Sequence, residues 1–163
     1  MTQGAEKRPY VMRGNRVVHR SAVEIVDSAK TFCRLFHVSG KTRLRFAEFI
    51  ESLALRSICV DPIADSEWLL FTDAICEPGT FTILLPESTY IKACRGDEAA
   101  ISTICHEIGH LMLGHKAVLH NEKSAAPSQG EDAEWQADAF ADYLLSKMGF
   151  PSIRQLTLDF DGE

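Results

Sequence analysis

The sequence predicts an α+β domain: two N-terminal helices, a small, mostly antiparallel sheet, and two further helices that carry the chemistry. Three observations predict it. Apolar residues recur at three- and four-residue steps over residues 22–36 and again over 44–55. Between Arg56 and Cys94 the texture breaks into short apolar stretches separated by turn residues. Beyond Asp97 the helical spacing returns, in two segments joined by a polar loop. The chain has 163 residues, 45% hydrophobic and 25% charged, a size and balance that suit one core.

Residues 1–20 read as a flexible basic arm carrying Lys7, Arg8, Arg13, Arg16 and Arg20, and residues 21–163 as a single domain. The first helix starts at Ser21; Ala22, Ile25, Val26, Ala29, Phe32, Cys33 and Phe36 form its stripe and Gly40 its stop. The second carries Leu44, Phe46, Phe49, Ile50, Leu53 and Leu55 and ends before Asp61-Pro62. Residues 57–60, 68–71 and 81–85 read as strands, with Glu77-Pro78-Gly79-Thr80 as the turn between the last two. Residues 89–94 are expected as a short strand or an extended edge, and the 156–163 tail as a strand or loose. Asp97 is a good N-cap for the third helix, and Glu98 favours its first turn. Ile101, Ile104, Cys105, Ile108, Leu111 and Met112 mark its buried side, and Gly114 ends it. Residues 121–132 form a surface loop; the last helix runs from Ala133 to Met148, before Gly149 and Pro151.

Composition excludes several classes. Seventeen basic against twenty-three acidic residues leave a net charge of −6, unlike a broad nucleic-acid footprint, so direct nucleic-acid binding is not expected. No apolar run approaches the ~20 residues that span a bilayer, and the polar start lacks the apolar core of a signal peptide. The expectation is a soluble, cytoplasmic protein with no membrane partner. The five cysteines are odd in number and none has CxxC spacing, which fits neither a disulfide framework nor a thiolate zinc site.

The chemistry centres on His106-Glu107-Ile108-Gly109-His110. Histidines four apart on a helix share one face, so their rings can reach one ion, as in a zinc hydrolase. Glu107 lies between them, within reach of a water on that ion, whose pKa zinc lowers and whose proton a carboxylate can take. Composition alone would produce such a match in about 2% of chains of this make-up. A catalytic zinc needs a third ligand. Positions three and six after His110 hold Leu113 and Lys116, not the Gly and His of a metzincin. His115 falls about 140° further round the helix, where it faces elsewhere or closes the helix end. On the last helix Glu134, Ala137, Ala141 and Leu144 form one stripe. The two alanines would let it approach the His106–His110 helix closely, making Glu134 the candidate third ligand and Glu131 its rival. Asp138, one turn on, could accept a hydrogen bond from a ligand ring, His106 first. Tyr90, Tyr143 and His115 are the candidates for stabilising transition-state charge, and the sequence does not choose among them.

The segments HEIGHLMLGH (106–115) and EWQADAFADYLL (134–145) resemble the ImmA/IrrE family of zinc metallopeptidases, a gluzincin-like group. Glu134, Ala137, Phe140, Ala141, Leu144 and Leu145 stand at the places of that family's second helix, and the resemblance extends over residues 21–148. It implies a minimal zincin-like fold, one zinc per chain held by His106, His110 and Glu134, and Glu107 as general base. It also implies peptide hydrolysis directed at a DNA-binding repressor or similar regulator. The chain departs from the family at Ser146-Lys147, and residues 1–56 are too short and too committed to packing to be a helix-turn-helix domain. The repressor is therefore expected as a separate protein. Two other readings stay open: a metal-containing module that sequesters a regulator without cutting it, and a regulator that touches DNA through the basic arm. An extended substrate is expected to pair with a sheet edge near residues 81–85 or 89–94.

Overall fold

Helix α1 (Ala22–Leu35) starts as expected, on a capping box in which Ser21 accepts from the Glu24 N–H and Glu24 reaches back to the Ser21 N–H. It stops before Gly40. His37 takes a left-handed φ of 53°, and the Val38 N–H turns back onto the Cys33 carbonyl at 2.9 Å. The computed structural model describes residues 8–68, 71–117 and 124–151. A 3-10 turn (Thr42–Leu44) leads into α2 (Phe46–Ala54), and the apolar ends expected to bury, Leu44 and Leu55, are exposed.

Three strands follow: β1 (Cys59–Ile63), β2 (Ile75–Glu77) and β3 (Thr82–Pro86). Their order is β1-β3-β2, with β1 parallel and β2 antiparallel to β3. The sheet is therefore mixed rather than mostly antiparallel. The chain leaves β1, forms the β2–β3 hairpin and returns β3 between the other two, because Ile83 and Leu85 are wholly buried and belong in the centre. Pro62 sits in β1, an edge strand, where its missing N–H is tolerated.

Two strand expectations change. Trp68 and Phe71 lie outside any strand, in a loop where the Trp68 indole donates to the Thr72 carbonyl at 3.0 Å; Leu69 and Leu70 lie outside the described residues. Residues 89–94 belong to α3 (Glu87–Cys94). β-Branched and aromatic residues there suggest a strand, but Ala93 is buried and the Ser88 N–H donates to Asp65 Oδ1 at 3.0 Å. The cap comes from 23 positions away, which local pattern cannot reveal. Substrate pairing at either predicted edge fails for the same reasons: β3 (Thr82–Pro86), which takes in most of 81–85, is the central strand, and 89–94 is helical.

Helices α4 (Glu98–Met112) and α5 (Ala133–Lys147) run as expected, capped by Asp97 and Asp132. Phe32, Phe46, Phe49 and Phe140 tie α1, α2 and α5 into one core, the Phe32 and Phe140 rings meeting edge to face at 5.7 Å. Where α4 meets α5, Gly109 faces Ala137: a Cβ at 109 would lie 3.1 Å from the Ala137 Cα and carbonyl oxygen and 3.2 Å from Phe140 Cβ. The two backbones thus approach as closely as two small residues allow. Gly109→Ala is expected to push α5 outward, lowering Tm by a few degrees (about 1–3 kcal/mol) and weakening metal binding. Thermal melts and metal titration check this; an unchanged Tm would mean the contact is slack.

The predicted arm is the largest revision. Residues 10–20 lie along the segment before α5 and the start of that helix. The Val17 N–H donates to the Glu131 carbonyl at 2.8 Å, the Arg20 N–H to the Gly130 carbonyl at 2.9 Å, and the Ala133 N–H to the Asn15 carbonyl at 3.1 Å. Arg16 pairs with Glu131 at 2.6 Å, and Val17 is buried. Arg20 reaches the Leu113 carbonyl at 3.2 Å, at the C-terminal end of α4 where a cation is favoured. Two residues of the basic start, Arg13 and Arg16, find their partners in the late acidic cluster, Asp138 and Glu131.

Candidate metal centre

The imidazoles of His106 and His110 lie one turn apart on α4, with their Nε2 atoms 3.0 Å apart. Glu134, in the first turn of α5, brings Oε2 to 2.9 Å from His106 Nε2 and Oε1 to 3.4 Å from His110 Nε2. One ligand atom from each lies within 4.8 Å of the other two, so this group could hold a metal ion. Two imidazoles and a carboxylate are donors that suit zinc, and three protein ligands leave room for water or substrate. Among the described residues no other such group occurs.

The ring nitrogens that face away from the centre are also occupied. His106 Nδ1 is 2.8 Å from Asp138 Oδ1, and Asp138 Oδ2 takes Arg13 Nη1 at 2.9 Å. His110 Nδ1 is 2.7 Å from His115 Nδ1. Metal-binding histidines ordinarily have such partners, which fix ring orientation. Glu131, the rival third ligand, is taken up by Arg16 and by the Ser128 N–H at 3.1 Å. Its carboxyl is held down to about 2, first by the Arg16 hydrogen bond.

Glu107, Glu134, His106 and Asp138 line a cleft of about 460 Å³, walled opposite by Phe71, Thr72, Asp73 and Ala74. Tyr90, Tyr143 and His115 do not line it. Tyr90 is on α3, Tyr143 opens onto a larger cavity of about 890 Å³ beside α1, and His115 stands behind His110. That larger cavity holds no cluster of metal ligands, so chemistry rather than size locates the site.

Sequence reasoning missed three supports of this centre. Asp132 is fully buried and accepts from the Tyr10 hydroxyl at 2.7 Å and from the Arg13, Gly14 and Glu134 N–H groups at 2.9–3.2 Å. It is at once the α5 cap and the anchor of the arm. At Gly14 the arm passes so close that a Cβ would sit 2.6 Å from Glu134 Cγ. Gln136, fully buried, accepts from His115 through its amide oxygen and donates to the arm's Val18 carbonyl through its amide nitrogen. The acidic and basic clusters were visible in the sequence; that they meet was not.

Charge at the centre follows from these contacts. Burial alone would lower His106, but hydrogen bonds to Asp138 and Glu134 outweigh it and draw the ring up to about 10. The hydrogen bond from His106 holds Glu134 far below the usual carboxylate range. Burial works against ionised Asp138, yet His106 and Arg13 bring it to about 2. His115 goes the other way: burial drops it to about 4, leaving it neutral. Glu107 is raised, first by burial. Cys76, half-buried beside the Glu107 carboxylate, is pushed up to about 12, first by desolvation, and stays a thiol.

The sign of the resulting pH dependence is fixed. With the folded pKa of His106 raised from 6.5 to about 10, its stabilisation is whole below 6.5 and is lost as pH rises toward 10. Asp138, lowered from 3.8 to about 2, contributes above 3.8 and loses that contribution as pH falls toward 2. Burial of neutral His115, whose pKa is lowered from 6.5 to about 4, adds stability that is present above 6.5 and lost as pH falls toward 4. Metal-free protein is therefore expected to melt highest near pH 6.5 and progressively lower on both sides. Melts in chelator across this range check it; a Tm that climbs from pH 7 to 10 would contradict a His106 held between two carboxylates.

No described helix is long and apolar enough to cross a membrane. The chain matches no family model, no curated protein and no solved structure.

Proposed function

We propose that this protein is a zinc-dependent endopeptidase of the ImmA/IrrE type. It hydrolyses a peptide bond in a specific protein partner, a separate DNA-binding repressor or similar regulator, in the cytoplasm. The observation that supports this best is the position of Glu107: in the cleft beside the His106–His110–Glu134 donor set, yet outside that set. A structural zinc site is closed by a fourth protein ligand and has no use for a neighbouring free carboxylate. His115, the nearest fourth candidate, turns its Nδ1 to His110 instead.

Bound Zn²⁺, one per chain, would supply the Lewis acidity that lowers the pKa of a water and polarises the scissile carbonyl. Glu107 takes the proton of the water that adds to the carbonyl carbon and passes it to the amide nitrogen as the C–N bond breaks. Its burial raises its pKa, which suits a group that must both accept and return a proton. Asp138 holds the His106 ring by its outer nitrogen. An extended substrate fits the outer edge of β2, which no described strand covers and which follows Ala74 on the cleft wall. Arg13 and Arg16 are engaged by Asp138 and Glu131, which weighs against an arm that reads phosphates.

The test is partner capture with the Glu107→Gln protein, followed by incubation of the captured partner with wild type. Wild type is expected to carry about one zinc per chain by elemental analysis. It should cut the partner at a defined bond, stop when chelator is added and resume with Zn²⁺. A partner that binds zinc-loaded wild type and stays whole would replace this reading with the sequestering module.

A further inference from the structure

His115 stands just past the end of α4 and does not line the cleft. Its Nε2 lies 2.8 Å from Gln136 Oε1. The Gln136 amide nitrogen lies 2.9 Å from the Val18 carbonyl oxygen and 2.7 Å from that of Gly130. Carbonyl oxygens only accept, so the amide nitrogen must face them and Oε1 must face His115. An amide oxygen also only accepts, so His115 Nε2 carries a proton. A neutral His115 then has a bare Nδ1. The 2.7 Å contact with His110 Nδ1 requires a proton between the two atoms, and it must belong to His110. Neutral His110 protonated at Nδ1 has a bare Nε2. That is the atom turned toward His106 and Glu134, at 3.0 and 3.4 Å.

We propose that Gln136 and His115 form a one-way hydrogen-bond relay that fixes His110 in the tautomer whose Nε2 lone pair is free for the metal. His115 is then a positioning residue. The proposal rests on the reading of His106, His110 and Glu134 as a metal site. Direction is set at the far end by two backbone carbonyls, one on the arm and one in the loop before α5, which can only accept. Without the relay His110 can take either tautomer, and one of them puts a proton where the ion must bind. The usual acceptor behind a ligand histidine is a carboxylate or carbonyl, and His106 has the former in Asp138. Using an imidazole behind His110 orients the second ring without adding a further negative charge to a centre that already holds Glu107, Glu134 and Asp138.

Long-range ¹⁵N–¹H spectra of the metal-free wild type test the relay directly. His115 is expected in the Nε2–H form and His110 in the Nδ1–H form. Zinc titration against a chelating dye then compares two variants. His115→Phe keeps the size but removes the acceptor, and should weaken zinc binding about 10- to 100-fold with an unchanged circular dichroism spectrum. His115→Asn, whose Oδ1 falls near the place of Nδ1, should recover most of that loss. His110 found in the Nε2–H form, or zinc affinity in His115→Phe equal to wild type, overturns the relay. If His115→Phe does not fold, the wild-type spectra decide. They contain no metal, so a wild type that binds no zinc would fail the metal reading while the tautomers still judge the relay.

Discussion

His110→Ala is expected to give a folded protein that purifies without zinc. It removes one of three donors, and two donors cannot hold the ion at cellular concentrations. Loss of a partner behind a ligand typically costs 10- to 100-fold in metal affinity, so loss of the ligand itself should cost more than about 100-fold. The fold should survive because the contacts that join α4 to α5 persist: Gly109 on Ala137, and His106 between Glu134 and Asp138. Glu134→Ala should lose zinc to a similar degree, whereas Asp138→Ala should retain it at about 10- to 100-fold lower affinity. Elemental analysis of the purified variants, with circular dichroism as the control for folding, reads the order. Normal zinc content in His110→Ala would sink the ligand assignment.

That order reflects how much of the centre could be read from spacing. Histidines at i and i+4 must share a helix face, and Glu134 shares a stripe with Ala137 and Ala141; both follow from 3.6 residues per turn. Asp138, one turn beyond Glu134, follows from the same geometry. The helices themselves were legible because their caps are local: Ser21 with Glu24, Asp97 and Asp132 each at the N-terminus of the helix it starts. What spacing could not show are partners distant in sequence. The α3 cap comes from Asp65, so a segment rich in β-formers reads as a strand. The order of three short strands depends on which is buried on both sides, and residues 81–85 do not announce themselves as the middle one.

The arm shows the same limit more sharply. Its basic residues and the acidic run at 131–142 were both evident, and each alone has the composition of a solvated surface. Their joining is a tertiary event separated by more than 100 positions: Arg13 with Asp138, Arg16 with Glu131, Tyr10 with Asp132. Gln136 is the least legible residue of all. Polar, flanked by Trp135 and Ala137, it looks like one more position on an amphipathic helix. Only its complete burial, which obliges every one of its hydrogen bonds to be made, shows that it organises the far side of the centre.

Glu107→Gln is expected to separate metal binding from chemistry. The amide keeps the size of the carboxylate and its hydrogen-bonding reach but cannot take a proton. Zinc content should therefore match wild type while hydrolysis of the captured partner falls about 100- to 10,000-fold, the usual worth of a positioned general base. Two neighbours could confuse the result, and both can be dealt with. Cys76 contacts this carboxylate, but with its thiol pushed up to about 12 it offers neither a base nor a thiolate ligand near neutral pH. Asp73 also lines the cleft, so Asp73→Asn is the matched control and should change hydrolysis little. If Glu107→Gln retained near-wild-type cleavage while Asp73→Asn abolished it, the base would lie on the opposite wall of the cleft, and the order of ligands and base along α4 would have to be abandoned as the guide to mechanism.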